Sequence, residues 1–532
     1  MSVTCSKGTI LSGIVSIFAI IIYLWSNHSG TEISLLIKAP FEPEYPEKPY
    51  AASWKSWWHP EHISGGEERH LRTLRQGQGG GAISSDWNIL YHLGGNGPWI
   101  EKVDGVVEGG IAAPEGCNVE QVHMMARHSE RYPTIKAGSR LLNLVQRIKN
   151  ANITYQGDMK FVNSWGFFAS DPQAQFEQLT TTGPFSGTLG AFTTGVKLRT
   201  RYHHLLPFRF PRNGGKTRLW ASDCERVIDT ARYFSAGFFG FNWNDTATLH
   251  IIPETAELGA DTLTPGDTCL TYLDDKEQGH DKGAVMLAEY RANYIRAIRV
   301  RLSRQNPGIN FTDDEIYGMQ EMCGFEITVR GSSRWCDIFT KDEFLSFEYA
   351  RDVIHYYRSG PGTLYGGIMG WLWLNATTNL LLEGPSAGPF FFSFVHDGDI
   401  APMLTALNIF PDSTHLPITH IAKNRKWRTS QVSPMGARII FERLACRKPP
   451  GLSQEESSNE TFIRININDG VVALPECDSG PGHSCPLSEF QAHVAARGEE
   501  LGDFRQKCGL SDDMPDRITF LHQRGGHGLE GS

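Results

Sequence analysis

Nowhere in these 532 residues do lysine and arginine gather into a basic run, and the formal charge is −9, so no electrostatic footprint favours a nucleic acid partner. No internal repeat is visible, which sets aside solenoid and array architectures. Cysteine is sparse, ten in all, and no C-x-x-C pair is joined by a second ligand pair; a zinc site is therefore not indicated, and no metal or cofactor is assigned. Charge is missing altogether from Gly8 to Trp25, where Ile10, Leu11, Ile14, Val15, Ile17, Phe18, Ile20, Ile21, Ile22 and Leu24 make the run strongly apolar. That stretch must enter a membrane. It exceeds a signal-peptide core of about 7–15 residues and approaches the roughly 20 needed to span, and Tyr23-Leu24-Trp25 is a poor cleavage site, so residues 1–30 are expected to be an uncleaved signal anchor rather than a signal peptide. Lys7, the one side-chain charge before the run, suits a cytosolic amino terminus.

The bulk of the chain is then expected in the secretory lumen or outside the cell. N-x-S/T sequons at Asn27, Asn152, Asn244, Asn310, Asn375 and Asn459 agree with that, Asn27 being too near the membrane to be used. Nine of the cysteines follow the apolar run, and in that compartment disulfides are the better reading. Residues 31–87 are rich in proline and glycine, with Pro40, Pro43, Pro46 and Pro49 in one segment and Gly77, Gly79, Gly80 and Gly81 in another, and read as a stalk without its own core. Asn88 to Trp99 reads as a loop that packs on the domain beyond it.

What is present in that domain is alternation. Apolar Gln121 to Ala126 and Arg218 to Ser222 read as strands, and Phe390-Phe391-Phe392-Ser393-Phe394-Val395 as a central strand buried on both faces. Ala437 to Leu444 and Phe462 to Ile467 are further strand candidates. Helical spacing follows at Leu141, Leu144, Val145 and Ile148; at Val227, Ala231, Phe234 and Phe238; at Leu287, Tyr290, Tyr294, Ile298 and Leu302; and from Asp342 to Tyr357. Strands alternating with helices argue for an α/β fold, an open, doubly wound, mostly parallel sheet with ligands beyond the carboxyl ends of its strands. The strand-poor stretches at about 135–215 and 245–345 are assigned to an inserted all-α subdomain roofing the site.

Three strand ends carry chemistry. After the first comes Arg127-His128-Ser129-Glu130-Arg131-Tyr132-Pro133, two arginines and a histidine within five residues. Guanidinium groups are permanently charged forks, so Arg127 and Arg131 can hold separate phosphate oxygens while His128 attacks phosphorus. Asp223-Cys224-Glu225-Arg226 follows the second strand, and His396-Asp397 the long apolar one. A lone His-Asp pair more often caps a helix, and a lone Arg226 is more often solvated. Three such segments in order, each at a strand end, reverse that. Asp399 is expected to cap the following helix rather than act as a second acid, and His123 and Met124 to be core residues.

The loop resembles the R-H-G-x-R-x-P signature of the histidine acid phosphatases, the family that includes the fungal phytases, with Ser129 in the glycine position. Ala221 to Ile228 and Phe394 to Ile400 resemble the segments that supply the family's third arginine and its His-Asp pair. The likeness runs over about residues 88–510, the catalytic domain, leaving 511–532 as a tail. It implies a nucleophile, His128; a proton donor, Asp397; and phosphate binding by Arg127, Arg131, Arg226 and His396. By position it implies bridges Cys117–Cys446, Cys269–Cys508, Cys323–Cys336 and Cys477–Cys485, with Cys224 left over as an unpaired thiol beside the pocket. The expected activity is acid hydrolysis of small phosphate monoesters through a phosphohistidine. Glu130, read as an acid at the pocket rim, argues against a highly anionic substrate, so a phytase acting on inositol polyphosphate is the alternative reading. A membrane-tethered, phosphoester-binding pseudoenzyme is another, because the added side chain of Ser129 is expected to keep the backbone from phosphate and Cys224 is unusual. Phosphoglycerate-mutase-like transfer fits a disulfide-bearing secretory chain poorly.

Overall fold

The computed structural model describes residues 87–206, 215–447 and 459–523. The apolar run at 8–25, the stalk up to residue 86 and the end of the chain from 524 lie outside the described residues, as do Asn27 and Cys5. Among the described residues, no helix is long and apolar enough to cross a membrane.

One sheet organises the described residues. Its strands are β1 (Cys117–Arg127), β2 (Thr217–Ser222), β3 (Ala247–Ile252), β4 (Phe390–Val395), β5 (Arg438–Cys446), β6 (Glu460–Ile467), β7 (Gly470–Val472) and β8 (Cys485–Pro486). Their order is β3-β2-β4-β1-β5-β6-β7, with β8 beside β6. The first four are mutually parallel, and from β5 onward the pairing is antiparallel. The longer helices are α1 (Ile135–Asn150), α2 (Gly187–Arg201), α3 (Glu225–Phe239), α4 (Lys282–Gln305), α5 (Asp313–Arg330), α6 (Lys341–Arg358), α7 (Gly366–Glu383), α8 (Asp397–Leu407) and α9 (Leu487–Leu501).

All six residues of β4 are buried, because the strand has neighbours on both sides and helices on both faces. Phe390, Phe392 and Phe394 meet Phe234 and Phe238 of α3 at ring-centroid distances of 5.0–5.2 Å. Phe391 points the opposite way and stacks on His123 at 4.4 Å. On that face Trp373 of α7 donates its indole N–H to Ser393 Oγ at 3.1 Å. Alternation along one strand thus covers both sides of the sheet, the doubly wound arrangement. His123 and Met124 are fully buried core residues, and burial pushes the His123 imidazole down to about 3, so it stays neutral.

The helical faces fall where periodicity placed them: Leu141, Leu144, Val145 and Ile148 are the buried side of α1. Two boundaries differ from expectation. The stretch from 245 opens with β3, an edge strand, and turns helical only after it. The tail from 511 is docked as far as 523: Gln523 accepts from Arg218 N at 2.7 Å and donates to Phe390 O at 2.6 Å.

Four bridges join Cys117–Cys446, Cys269–Cys508, Cys323–Cys336 and Cys477–Cys485. The first staples β1 to β5 at facing positions. Cys224 is a correction: it is disulfide-bonded, not a free thiol beside the pocket. Of the sequon asparagines, Asn152, Asn244, Asn310 and Asn459 are exposed and Asn375, on α7, is half-buried.

Candidate active site

Register builds the site. Arg127 pairs with Val395, Ala221 with Phe394, and Ser222 with Ile252, so the four parallel strands end in line and the residues that follow them converge. From β1 comes His128, whose N–H extends the ladder to Val395 O at 3.0 Å. From β4 come His396 and Asp397. From β2, through the first turn of α3, comes Arg226, and from β3 comes Glu254.

The His128 ring is completely buried, with Nδ1 at 2.9 Å from Ser129 O and Nε2 at 3.3 Å from Arg131 Nε. A carbonyl can only accept, so Nδ1 carries the proton. The Nε2 lone pair accepts the Arg131 Nε–H. Burial, together with Arg127, Arg131 and Arg226, holds the imidazole well below its ordinary value. The ring is neutral and fixed in orientation.

Arg127 is anchored by Nη1, which donates to Gly95 O at 2.8 Å and Ser433 O at 2.7 Å, while Nη2 reaches Asp397 Oδ2 at 3.3 Å. Gly95 belongs to the loop expected to pack here; Gly94 N donates to Ser430 Oγ at 2.8 Å in the same loop. Arg226 Nη2 lies 3.4 Å from His396 Nδ1. Burial lowers the Arg127, Arg131 and Arg226 guanidinium groups, and for Arg127 and Arg131 the neighbouring arginines add to it, as expected where positive charges gather. Burial alone would raise Asp397, but Arg127, with His355, His128 and Arg131, overrides it and holds the carboxyl well below the usual carboxylate range. Asp397 is thereby ionised beside these cations; a bound phosphate would neutralise them and let it take a proton.

Glu254, which the sequence reading missed, orients His396: its Oε1 lies 2.9 Å from His396 Nε2. That bond puts the ring proton on Nε2, and a second proton on Nδ1 would make His396 a cationic donor beside Arg226. Asp399 caps α8, accepting from His396 N at 2.9 Å, and burial raises its carboxyl.

Two expectations at the loop change. Glu130 is 5% exposed and takes the Trp99 N–H at 2.8 Å, so it fastens the lead-in loop and is not an acid at the rim. Burial pushes it up to about 7. Ser129 donates its backbone N–H to Thr230 Oγ1 at 3.0 Å, so that N–H serves α3 and not a phosphate. Its hydroxyl lies on the Gly436 side of the loop, 3.8 Å from where a Cβ on Gly436 would stand. Of the two basic groups past the loop, Lys136 is exposed and Arg140 is committed to an ion pair with Glu321.

The arrangement resembles known proteins over most of its length. The family model described as histidine phosphatase superfamily (branch 2) matches residues 118–468. A phytase of Candida albicans is 32% identical over 445 residues, covering 82% of this chain and 91% of its own. An acid phosphatase of Komagataella pastoris is 36% identical over 448 residues, covering 82% and 90%. The crystal structure of the phytase from D. castellii superposes with a TM-score of 0.74 at 28% identity, over 88% of this chain and 94% of that one. The chain belongs to the histidine phosphatase superfamily, branch 2.

Proposed function

We propose that this protein is an acid phosphatase that hydrolyses phosphate monoesters through a phosphohistidine at His128. The observation that carries the reading is the His128 ring itself, its Nδ1–H tied to Ser129 O and its Nε2 turned to the Arg131 Nε–H, where a phosphoryl group would replace that contact. Nε2 attacks phosphorus as the ester P–O bond breaks. Arg127, Arg131, Arg226 and protonated His396 hold the phosphoryl oxygens through the charge build-up of the transition state. Asp397 gives its proton to the leaving alkoxide, then as carboxylate takes one from the water that attacks the phosphohistidine, returning His128 to its neutral form. Acid pH suits this cycle, because it keeps His396 and Asp397 protonated once phosphate is bound.

Broad monoesterase activity is favoured because, of the two basic residues that follow the loop in sequence, Arg140 is paired with Glu321 and Lys136 alone is exposed. An inositol polyphosphate substrate is the second reading, favoured by the burial of Glu130, which removes an acid from the rim. Initial rates of the purified ectodomain on p-nitrophenyl phosphate and on inositol hexakisphosphate, from about pH 3 to 7 and with EDTA present, test both. The account expects hydrolysis of the first at acid pH, undiminished by EDTA because side chains supply the nucleophile and the charge. Tight phosphate binding without turnover of either would leave the pseudoenzyme reading in its place.

The working compartment in this proposal is the secretory lumen or cell exterior, with the chain tethered through residues 8–25. Four bridges and four exposed sequon asparagines support the compartment. Retention of the expressed full chain in alkali-washed membranes tests the tether.

A further inference from the structure

Behind the proposed acid lies a histidine that the cycle above does not use. His355, on α6, is 5% exposed, with Nδ1 3.8 Å from Asp397 Oδ2 and Nε2 3.0 Å from Arg351 Nη2. A guanidinium has only donors, so Arg351 donates to Nε2 and the single proton of the neutral ring must sit on Nδ1, facing Asp397. Arg351 is itself fixed, donating to Tyr317 Oη and Asn96 Oδ1 at 3.3 Å each, with Glu321 Oε1 at 3.7 Å. The lead-in loop closes over it: a Cβ at Gly94 would fall 2.4 Å from Arg351 Cβ, so only glycine fits. Burial, with Arg351 next to it, holds His355 well below its ordinary value, keeping the ring neutral.

Asp397 Oδ2 therefore faces two N–H donors, Arg127 Nη2 at 3.3 Å and His355 Nδ1 at 3.8 Å, against one on Oδ1, the Gly398 N–H at 3.2 Å. An oxygen aimed at two donors is the acceptor end of a carboxylic acid, so the acidic proton belongs on Oδ1. We propose that His355 is a positioning residue for Asp397: its Nδ1–H, set by Arg351, turns Oδ2 inward and leaves Oδ1–H as the atom that protonates the leaving group. When Oδ1 gives up its proton to the alkoxide, the new carboxylate charge is met by the same two donors. At 3.8 Å the pair is a charge–dipole contact and not a hydrogen bond.

This inference rests on Asp397 as the acid, and its test separates the two. Values of kcat/KM are compared on glycerol 2-phosphate, whose alkoxide needs a proton, and on p-nitrophenyl phosphate, whose phenolate does not. The ratio of the two is independent of how much of a variant is folded. His355→Ala should lower the alkyl ester's value about tenfold more than the aryl ester's. His355→Asn, whose amide N–H can stand where Nδ1 stands, should restore the ratio, and His355→Gln should not. In an Asp397→Asn background, His355→Ala should leave the ratio where Asp397→Asn put it. Equal losses on both esters in His355→Ala, or rescue by Gln as good as by Asn, overturn the inference. If Asp397→Asn itself loses equally on both esters, the acid assignment falls and the inference with it.

Discussion

Glu254 is the residue on which the pocket's pH response turns. Burial and Arg226 hold the His396 imidazole below its ordinary value, and Glu254, which takes its Nε2–H, opposes them, so removing that charge withdraws the anion that favours the imidazolium. Glu254→Gln should cut kcat/KM about ten- to hundredfold, the range for a charge-assisted hydrogen bond, and should move the basic limb of the pH profile to lower pH. An unshifted limb would remove His396 as a titrating phosphate ligand. Ser129→Gly tests the loop. With its N–H given to Thr230 and its hydroxyl toward Gly436, the side chain does not stand between backbone and phosphate, so kcat/KM should stay within about threefold. A tenfold rise would restore the steric obstruction that the sequence suggests. Residues at this scale were legible in the chain wherever several charges sit close together, as in Arg127 to Arg131. Glu254 and His355 were not, because each is one polar residue far from its partner: Glu254 is 142 positions from His396. A signal did exist, since Glu254 follows His250-Ile251-Ile252-Pro253, a short run ending on a charge like the other loaded strand ends.

The helix layer that carries Arg226 depends on one crossing. Gly195 of α2 and Gly237 of α3 let the two backbones touch; an added Cβ would lie 2.2 Å from Phe234 O in the first case and 2.1 Å from Phe192 O in the second. Gly237→Ala must therefore push the helices apart, at about 1–3 kcal/mol. Because α3 also holds Arg226 and Thr230, the expected result is a lower Tm together with a raised KM for phosphate esters. A lower Tm with unchanged KM would show that the crossing is not coupled to the pocket. Elements were read from sequence in proportion to their burial. The all-apolar β4 was plain because both its faces are covered. Edge strand β3 was lost inside a helical stretch because only Ala247 and Ile252 are fully buried, while Thr248 and Ile251 face solvent. The antiparallel half of the sheet was unreadable as such, since strand direction leaves no mark on composition.

At the scale of the whole molecule, buried ionisable groups make stability depend on pH in both directions. Glu130 is pushed from an ordinary 4.5 up to about 7, and Asp267 from 3.8 to about 7, burial being the main cause in each. Both are raised acids, so below their ordinary values they cost nothing. As pH climbs toward 7 the unfolded chain ionises while the folded one stays protonated, and stability falls by about 3 kcal/mol for Glu130 and about 4 kcal/mol for Asp267. Asp469 works at the other end. Burial opposes its charge, but Arg438 and Arg201 bring it down to about 2, so the stability it contributes above its ordinary 3.8 disappears as pH falls toward 2. Buried His123, His128 and His355 act in the opposite sense, held below their ordinary value so that stability falls as pH drops and the unfolded chain takes up their protons. Glu130→Gln should therefore raise the Tm at pH 7 more than at pH 4, relative to the parent protein; an equal change at both pH values would contradict a raised Glu130.

The central claim, that His128 becomes phosphorylated, is tested most directly by quenching the enzyme in alkaline detergent during turnover of a radiolabelled monoester, keeping the denatured protein at alkaline pH, and locating the label by peptide mapping. The account predicts acid-labile, base-stable phosphate on the His128 peptide in the parent protein and none in His128→Ala, with the folded state of both verified by circular dichroism. Label retained by His128→Ala, or rapid hydrolysis by the parent with no covalent label at any quench time, would contradict it.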